Sequence, residues 1–248
     1  MNAAKVDADM GDETFATTHW SVVLSAQGQR RTEVDEALSE LLRSYWPPLF
    51  AFLRRQGYAH ADAEDLVQGF FERFLAEDFL RSVTREKGRF RSFLLAALRH
   101  HVANVHRHDR TQRRGGSRPH LCLEDPGALE RCEASLATGL EPEVVFDRVW
   151  AETVLTNAAM ALRLEYEASG RGSLYEVLRR WLAAEAKPGE YAAQAPALGM
   201  SEGALAVAVH RLRQRLRELA RALVAHTVPT PGDVDDELRH LLKTLIRS

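Results

Sequence analysis

A chain of 248 residues with 45% apolar content is long enough to bury one or two compact cores. It has no apolar run of bilayer length, and residues 1–20 lack the basic-then-apolar pattern of a secretory leader, so a soluble, cytoplasmic protein with no membrane partner is expected. The two cysteines, Cys122 and Cys132, form no CxxC and read as free thiols in a reducing compartment, while the net charge of −2 conceals blocks of opposite sign.

Residues 1–32 are set aside as an N-terminal segment, and a first helical domain is expected over 33–114. Residues 35–55 place Leu38, Leu41, Leu42, Tyr45, Leu49, Phe52 and Leu53 on one helix face, with Pro47 and Pro48 expected to kink or break it. In the next helix Asp62 is the expected N-cap, carboxylates fill the first turn, and Leu66, Phe70, Phe71, Phe74 and Leu75 follow at helical spacing. Residues 33–80 carry ten acidic side chains against four arginines. From Arg81 to Arg118 the balance reverses, with eleven cations against two anions. Segregation on this scale points to partners of opposite charge, nucleic acid for the basic block and a basic protein surface for the acidic helix. Phe90, Phe93, Leu94, Ala97, Leu98 and Val102 continue the apolar stripe through the basic segment, so both phenylalanines are expected in the core rather than as platforms for bases.

Residues 115–142, rich in glycine, proline and acids, are expected to be a linker, and a second helical domain is expected over 143–228. One amphipathic helix runs from Val145 to Leu162 and another from Leu174 to Leu182. About 189–218, a helix-turn-helix is expected. Gly199 suits positive φ, Ser201 can cap the following helix, and Leu205, Val209, Leu212, Leu216 and Leu219 form its buried stripe. The outer face carries Ala204, Ala208, Arg211 and Arg215, flanked by Ser201, His210, Arg213 and Arg217, with small residues that permit approach to base edges ahead of guanidinium groups that can reach phosphates. A plain amphipathic hairpin with a solvated arginine face is the bland alternative. Pro196 falls inside the first helix of the pair, and Gln194 stands where an apolar residue would pack. A C-terminal extension over 229–248 contains a closing helix from Asp233 to Ile246 with Val234, Leu238, Leu241, Leu242 and Leu245 as its apolar stripe; packing on the second domain is expected, and an inhibitor-facing or autoinhibitory arm is the alternative. The fold class expected is therefore all-α: two helical domains joined by a linker, the second ending in a helix-turn-helix, plus a C-terminal helix.

His100, His101, His106 and His108 share a helix, but no cysteine or carboxylate completes a ligand spacing, so no metal and no cofactor is expected. No nucleophile elbow, phosphate-binding glycine loop or zinc-protease helix occurs, and no enzymatic activity is expected.

Two blocks in this order, Asp62-Ala63-Glu64-Asp65-Leu66-Val67-Gln68 with Phe70-Phe71, and Leu198-Gly199-Met200-Ser201-Glu202-Gly203 with His210-Arg211-Leu212-Arg213, resemble the extracytoplasmic-function group of bacterial RNA polymerase sigma factors. The resemblance implies a polymerase-binding set of Asp62, Glu64, Asp65, Gln68, Phe71 and Glu72. Gly88 to Leu94 and the basic helix beyond it resemble the segment that opens and reads the promoter near the start site. That resemblance implies DNA contacts from Arg89, Arg91, Arg99, Asn104, Arg107, Arg110, Arg113 and Arg114. The second block implies reading of the upstream promoter element, with DNA contacts from Ser201, Glu202, Ala204, Val207, Ala208, Arg211, Arg213 and Arg215. The implied partners are core RNA polymerase, promoter DNA and an anti-sigma inhibitor. A stand-alone helix-turn-helix regulator that never touches polymerase is the alternative.

Overall fold

A computed structural model describes residues 31–75, 89–109, 132, 139–228 and 230–246, and the regular structure among them is entirely helical. The helices are α1 (Arg31–Arg55), α2 (His60–Leu75), α3 (Phe90–Asp109), α4 (Pro142–Ala168), α5 (Gly172–Leu178), α6 (Glu190–Gln194), α7 (Glu202–Ala225) and α8 (Val234–Ile246). Short 3-10 turns at Arg179–Trp181, Pro196–Leu198 and Pro231–Asp233 separate some of them. The expected N-terminal segment up to residue 30, most of the expected 115–142 linker, and Cys122, Arg110, Arg113 and Arg114 lie outside the described residues.

Two compact units divide the chain. One holds Met1–Trp150 together with Ala225–Ser248, and the other holds Ala151–Val224. The division therefore falls within α4, and α8 belongs with the first unit rather than packing on the second domain as its position in the sequence suggests.

The first unit is built on aromatic burial. In α1, Tyr45, Trp46, Leu49, Phe50, Phe52 and Leu53 are all buried, Tyr45 stacks on Trp150 with ring centroids 4.3 Å apart, and Trp46 stacks on Phe50 at 4.7 Å. The helix runs through Pro47 and Pro48 without a break. Each interior proline costs about 3 kcal/mol in lost hydrogen bonding and ring crowding. Full burial of each large apolar side chain returns about 1.5–3 kcal/mol, so the six around the pair outweigh the penalty. Pro47 O also accepts a hydrogen bond from the Cys132 thiol at 3.4 Å. Gly57, at φ 96°, ends α1, and α2 begins at His60, with the Ala63 amide bonded to Ala59 O at 3.0 Å. Asp62 thus sits inside the first turn rather than at the cap, still within reach of the positive end of the helix dipole. Phe70, Phe74, Phe90 and Phe93 connect α2 and α3 through tilted ring contacts, and the two phenylalanines of α3 lie in the core, as their apolar stripe implies.

The C-terminal helix buries only part of the stripe expected of it, with Leu238 and Leu245 half-buried. Val234, Glu237, Leu241 and Thr244 are the buried residues, whereas Leu242 is 52% and Ile246 79% exposed. The face turned inward is rotated toward Glu237 because that carboxylate has cationic partners in the first unit.

The second unit closes around Trp181, which is 1% exposed and packed in one cluster with Leu162, Tyr175, Leu178, Ala195, Leu205, Val209 and Leu212. Its ring meets Tyr191 edge-on at 5.2 Å. Pro196 escapes its expected penalty, since α6 ends at Gln194 and the proline opens a 3-10 turn, where its missing amide is of little consequence. The residue buried there is Ala195, with Gln194 half-buried beside it.

Candidate functional site

On α2 the core side is Ala63, Leu66, Val67, Phe70, Phe71 and Phe74, which leaves a row of carboxylates outside. Asp62, Asp65 and Glu72 are exposed and Glu64 is half-buried, with its carboxylate 3.4 Å from His60 Nε2. Gln68 and Phe71, members of the implied polymerase-binding set, are both buried. Gln68 is 8% exposed and donates to Glu72 at 3.3 Å, and Phe71 is a core residue rather than an apolar anchor at the surface. The physical cause is the helical period: six apolar residues occupy the inward arc, and positions 68 and 71 fall on it or at its edge. Behind the acidic edge lies an open groove of about 480 Å³ lined by Asp65, Gly69, Glu72, Arg73, His101 and Val105 among others. Burial pushes the His101 pKa below its ordinary value, with smaller contributions from Arg73 and His100 in the same direction. Among the described residues no group of three or more histidine, cysteine or acidic side chains could hold a metal ion.

Arg91 and Arg99 of the basic helix α3 are engaged in ion pairs within the chain. Arg91, 6% exposed, donates Nε to Glu237 at 2.5 Å and pairs through its terminal nitrogens with Asp147 and Glu237. Burial alone would lower its pKa, but the hydrogen bond to Glu237 and the charge of Asp147 outweigh that and raise it. Arg89 is partly exposed and reaches the same Glu237 at 3.0 Å. Arg99 pairs with Glu143 while its guanidinium lies 5.2 Å from the centre of the Phe52 ring. Asn104 Nδ2 is 3.1 Å from His100 Nδ1, and Arg107 is exposed. Arg91, expected among the DNA contacts, is in this structure a member of an internal ion-pair cluster. Asp147, Glu237 and His240, none of them singled out from the sequence, complete the cluster, with His240 Nε2 2.8 Å from Asp147 Oδ2. One signal was present, because Glu237 interrupts the spacing between Val234 and Leu241 on an otherwise apolar face.

In the second unit, α6 and the Pro196–Leu198 turn lead through Gly199, at φ 63°, into α7. Met200 N–H bonds to Ala195 O at 3.0 Å and closes the end of the first piece, and Ser201 Oγ accepts from Ala204 N–H at 3.2 Å at the start of the second. Leu205, Val209 and Leu212 face the core, while Ser201, Glu202, Ala204, Val207 and Arg211 are exposed on α7 and Ala208 is half-buried. Val207 is 49% exposed, a large apolar group left facing water. Two arginines that the sequence assigned to phosphates are tied down. Arg213 donates to Trp181 O at 2.7 Å and Ala184 O at 2.6 Å. Arg215 makes a forked pair with Glu165 at 2.7 and 2.9 Å, which holds the Glu165 carboxyl below its usual range. Their geometry makes Arg213 a brace across the unit and leaves Arg211 as the outward guanidinium of the original set. Replacing Ser201 by alanine is expected to cost about 1 kcal/mol of unit stability through the lost cap. The drop should appear as a melting temperature lower by roughly 4–8 °C in a circular dichroism scan.

The chain matches no protein-family model, no curated protein and no solved structure. Among the described residues no helix is long and apolar enough to cross a membrane.

Proposed function

We propose that this protein is a dissociable promoter-recognition subunit of bacterial RNA polymerase, of the extracytoplasmic-function sigma type. The observation that carries the reading is the carboxylate edge of α2: Asp62, Asp65 and Glu72 stand exposed on a helix whose other side is fixed by five core residues that are at most 3% exposed, Ala63, Val67, Phe70, Phe71 and Phe74. A rigid, pre-organised acidic edge is suited to a basic protein surface, since no side-chain packing has to be rearranged on binding. The second unit adds a capped helix whose small and basic outer residues fit a major groove. In this role catalysis belongs to the polymerase and the protein supplies register on DNA.

A stand-alone DNA-binding regulator is the second reading. What favours it is that Arg91 and Arg99 are paired internally while Ser201, Glu202, Ala204, Val207 and Arg211 are open, so the second unit alone could bind duplex. Transcription reconstituted with sigma-free core polymerase and genomic DNA separates the two. The sigma reading expects new, mapped start sites that depend on the protein. Folded protein that binds duplex at palindromic sites, with no retention of polymerase and no new starts, would leave only the regulator.

A further inference from the structure

Glu237 is fully buried, a rare position for a carboxylate, and two guanidinium groups converge on it, Arg91 at 2.5 Å and Arg89 at 3.0 Å. The arginine fork matches a phosphate as well as it matches a carboxylate. Arg89 lies at the entry to α3 with its side chain 38% exposed, so the cluster reaches the surface. Thr227 O, on the approach to α8, accepts the Phe90 amide at 3.0 Å at the N-terminus of α3, a position suited to anions. A buried ion pair adds little stability over apolar packing of the same volume, and Val234 and Leu241 already anchor α8 through apolar burial.

We propose that α8 is an autoinhibitory clasp, in which Glu237 occupies the place of a nucleic-acid phosphate on Arg89 and Arg91 and must lift before these two residues can hold single-stranded DNA. This rests on the reading that α3 handles an opened promoter. DNA backbone and Glu237 compete for the same two cations, so anything that draws α8 away raises the affinity of the first unit for a displaced strand. Asp147 stays with Arg91 in either state and keeps the guanidinium from being stranded.

The test uses the full chain and a fluorescein-labelled single-stranded DNA oligonucleotide, with anisotropy measured across a salt series. Glu237→Gln is expected to bind about tenfold more tightly than the unaltered protein. The slope of log affinity against log salt should steepen by roughly 1.4, the release expected for two further phosphates on a single strand. Adding Arg89→Ala and Arg91→Ala to that variant should erase the gain. Unchanged affinity and slope, in a variant whose helical circular dichroism is intact, would overturn the clasp. Hydrogen exchange on the unaltered protein covers the case in which the variant does not fold. Saturating oligonucleotide must speed exchange of the α8 amides, and unchanged or slower exchange also overturns the proposal. Retention on core polymerase is scored in parallel. A variant that gains nothing while polymerase retention persists sinks the clasp alone, and loss of retention with a clear gain in strand binding sinks the sigma reading alone.

Discussion

Replacing Glu64 and Asp65 together by lysine is expected to abolish retention of core RNA polymerase while leaving the protein folded. Neither carboxylate is buried, and Glu64 is paired with the half-exposed His60. The fold loses little: two lysines near a helix N-terminus oppose the dipole at a cost of about 0.3–1 kcal/mol each. The interface loses far more, because reversal converts attraction into like-charge repulsion against a basic partner, which costs several kcal/mol. A weakening of roughly 100-fold or more, close to 3 kcal/mol, is expected in a co-purification or biolayer titration at moderate salt. Duplex binding by the second unit should be unaltered. Undiminished polymerase retention by the double variant would remove the acidic edge from the mechanism and favour the stand-alone regulator.

Trp181→Ala is expected to unfold the second unit. The indole is 1% exposed, meets Tyr191 at 5.2 Å, and its backbone carbonyl is the acceptor that positions Arg213. Truncating a buried tryptophan costs about 3–5 kcal/mol through lost transfer energy and the cavity left behind. For a small unit of marginal stability that is most of what holds it. A melting temperature lower by roughly 15 °C or more is expected, together with loss of duplex binding. Trp181→Phe, which keeps most of the apolar volume, should lose much less. A small shift in the alanine variant would mean that the cluster around Trp181 is not the core of this unit.

Much of the helical architecture could be read from residue spacing, and the reasons are visible in particular residues. Leu205, Val209 and Leu212 recur at helical period and are buried, and Gly199 and Ser201 take up the turn and the cap that their chemistry favours. Where spacing failed, a nonlocal energy had overruled a local preference. Pro47 and Pro48 remain in a helix because the aromatic side chains around them gain more by burial than two prolines lose. Glu237 lies inside a core face because arginines more than a hundred residues away receive it, a fact no window along α8 contains. The same limit applies to the candidate sites. Charge blocks identified the acidic edge of α2 and the basic character of α3. They could not show that Arg91, Arg213 and Arg215 are already engaged by acceptors elsewhere in the chain.

The second unit is contiguous, Ala151–Val224, and is inserted in sequence between the two parts of the first. During synthesis at about 5–20 residues per second, Asp147 emerges long before Glu237, which lies 146 residues beyond Arg91. For on the order of ten seconds a nascent chain therefore carries Arg89 and Arg91 without their buried counter-charge. Translation order thus leaves these two guanidinium groups on the growing polypeptide without the carboxylate that the finished molecule supplies.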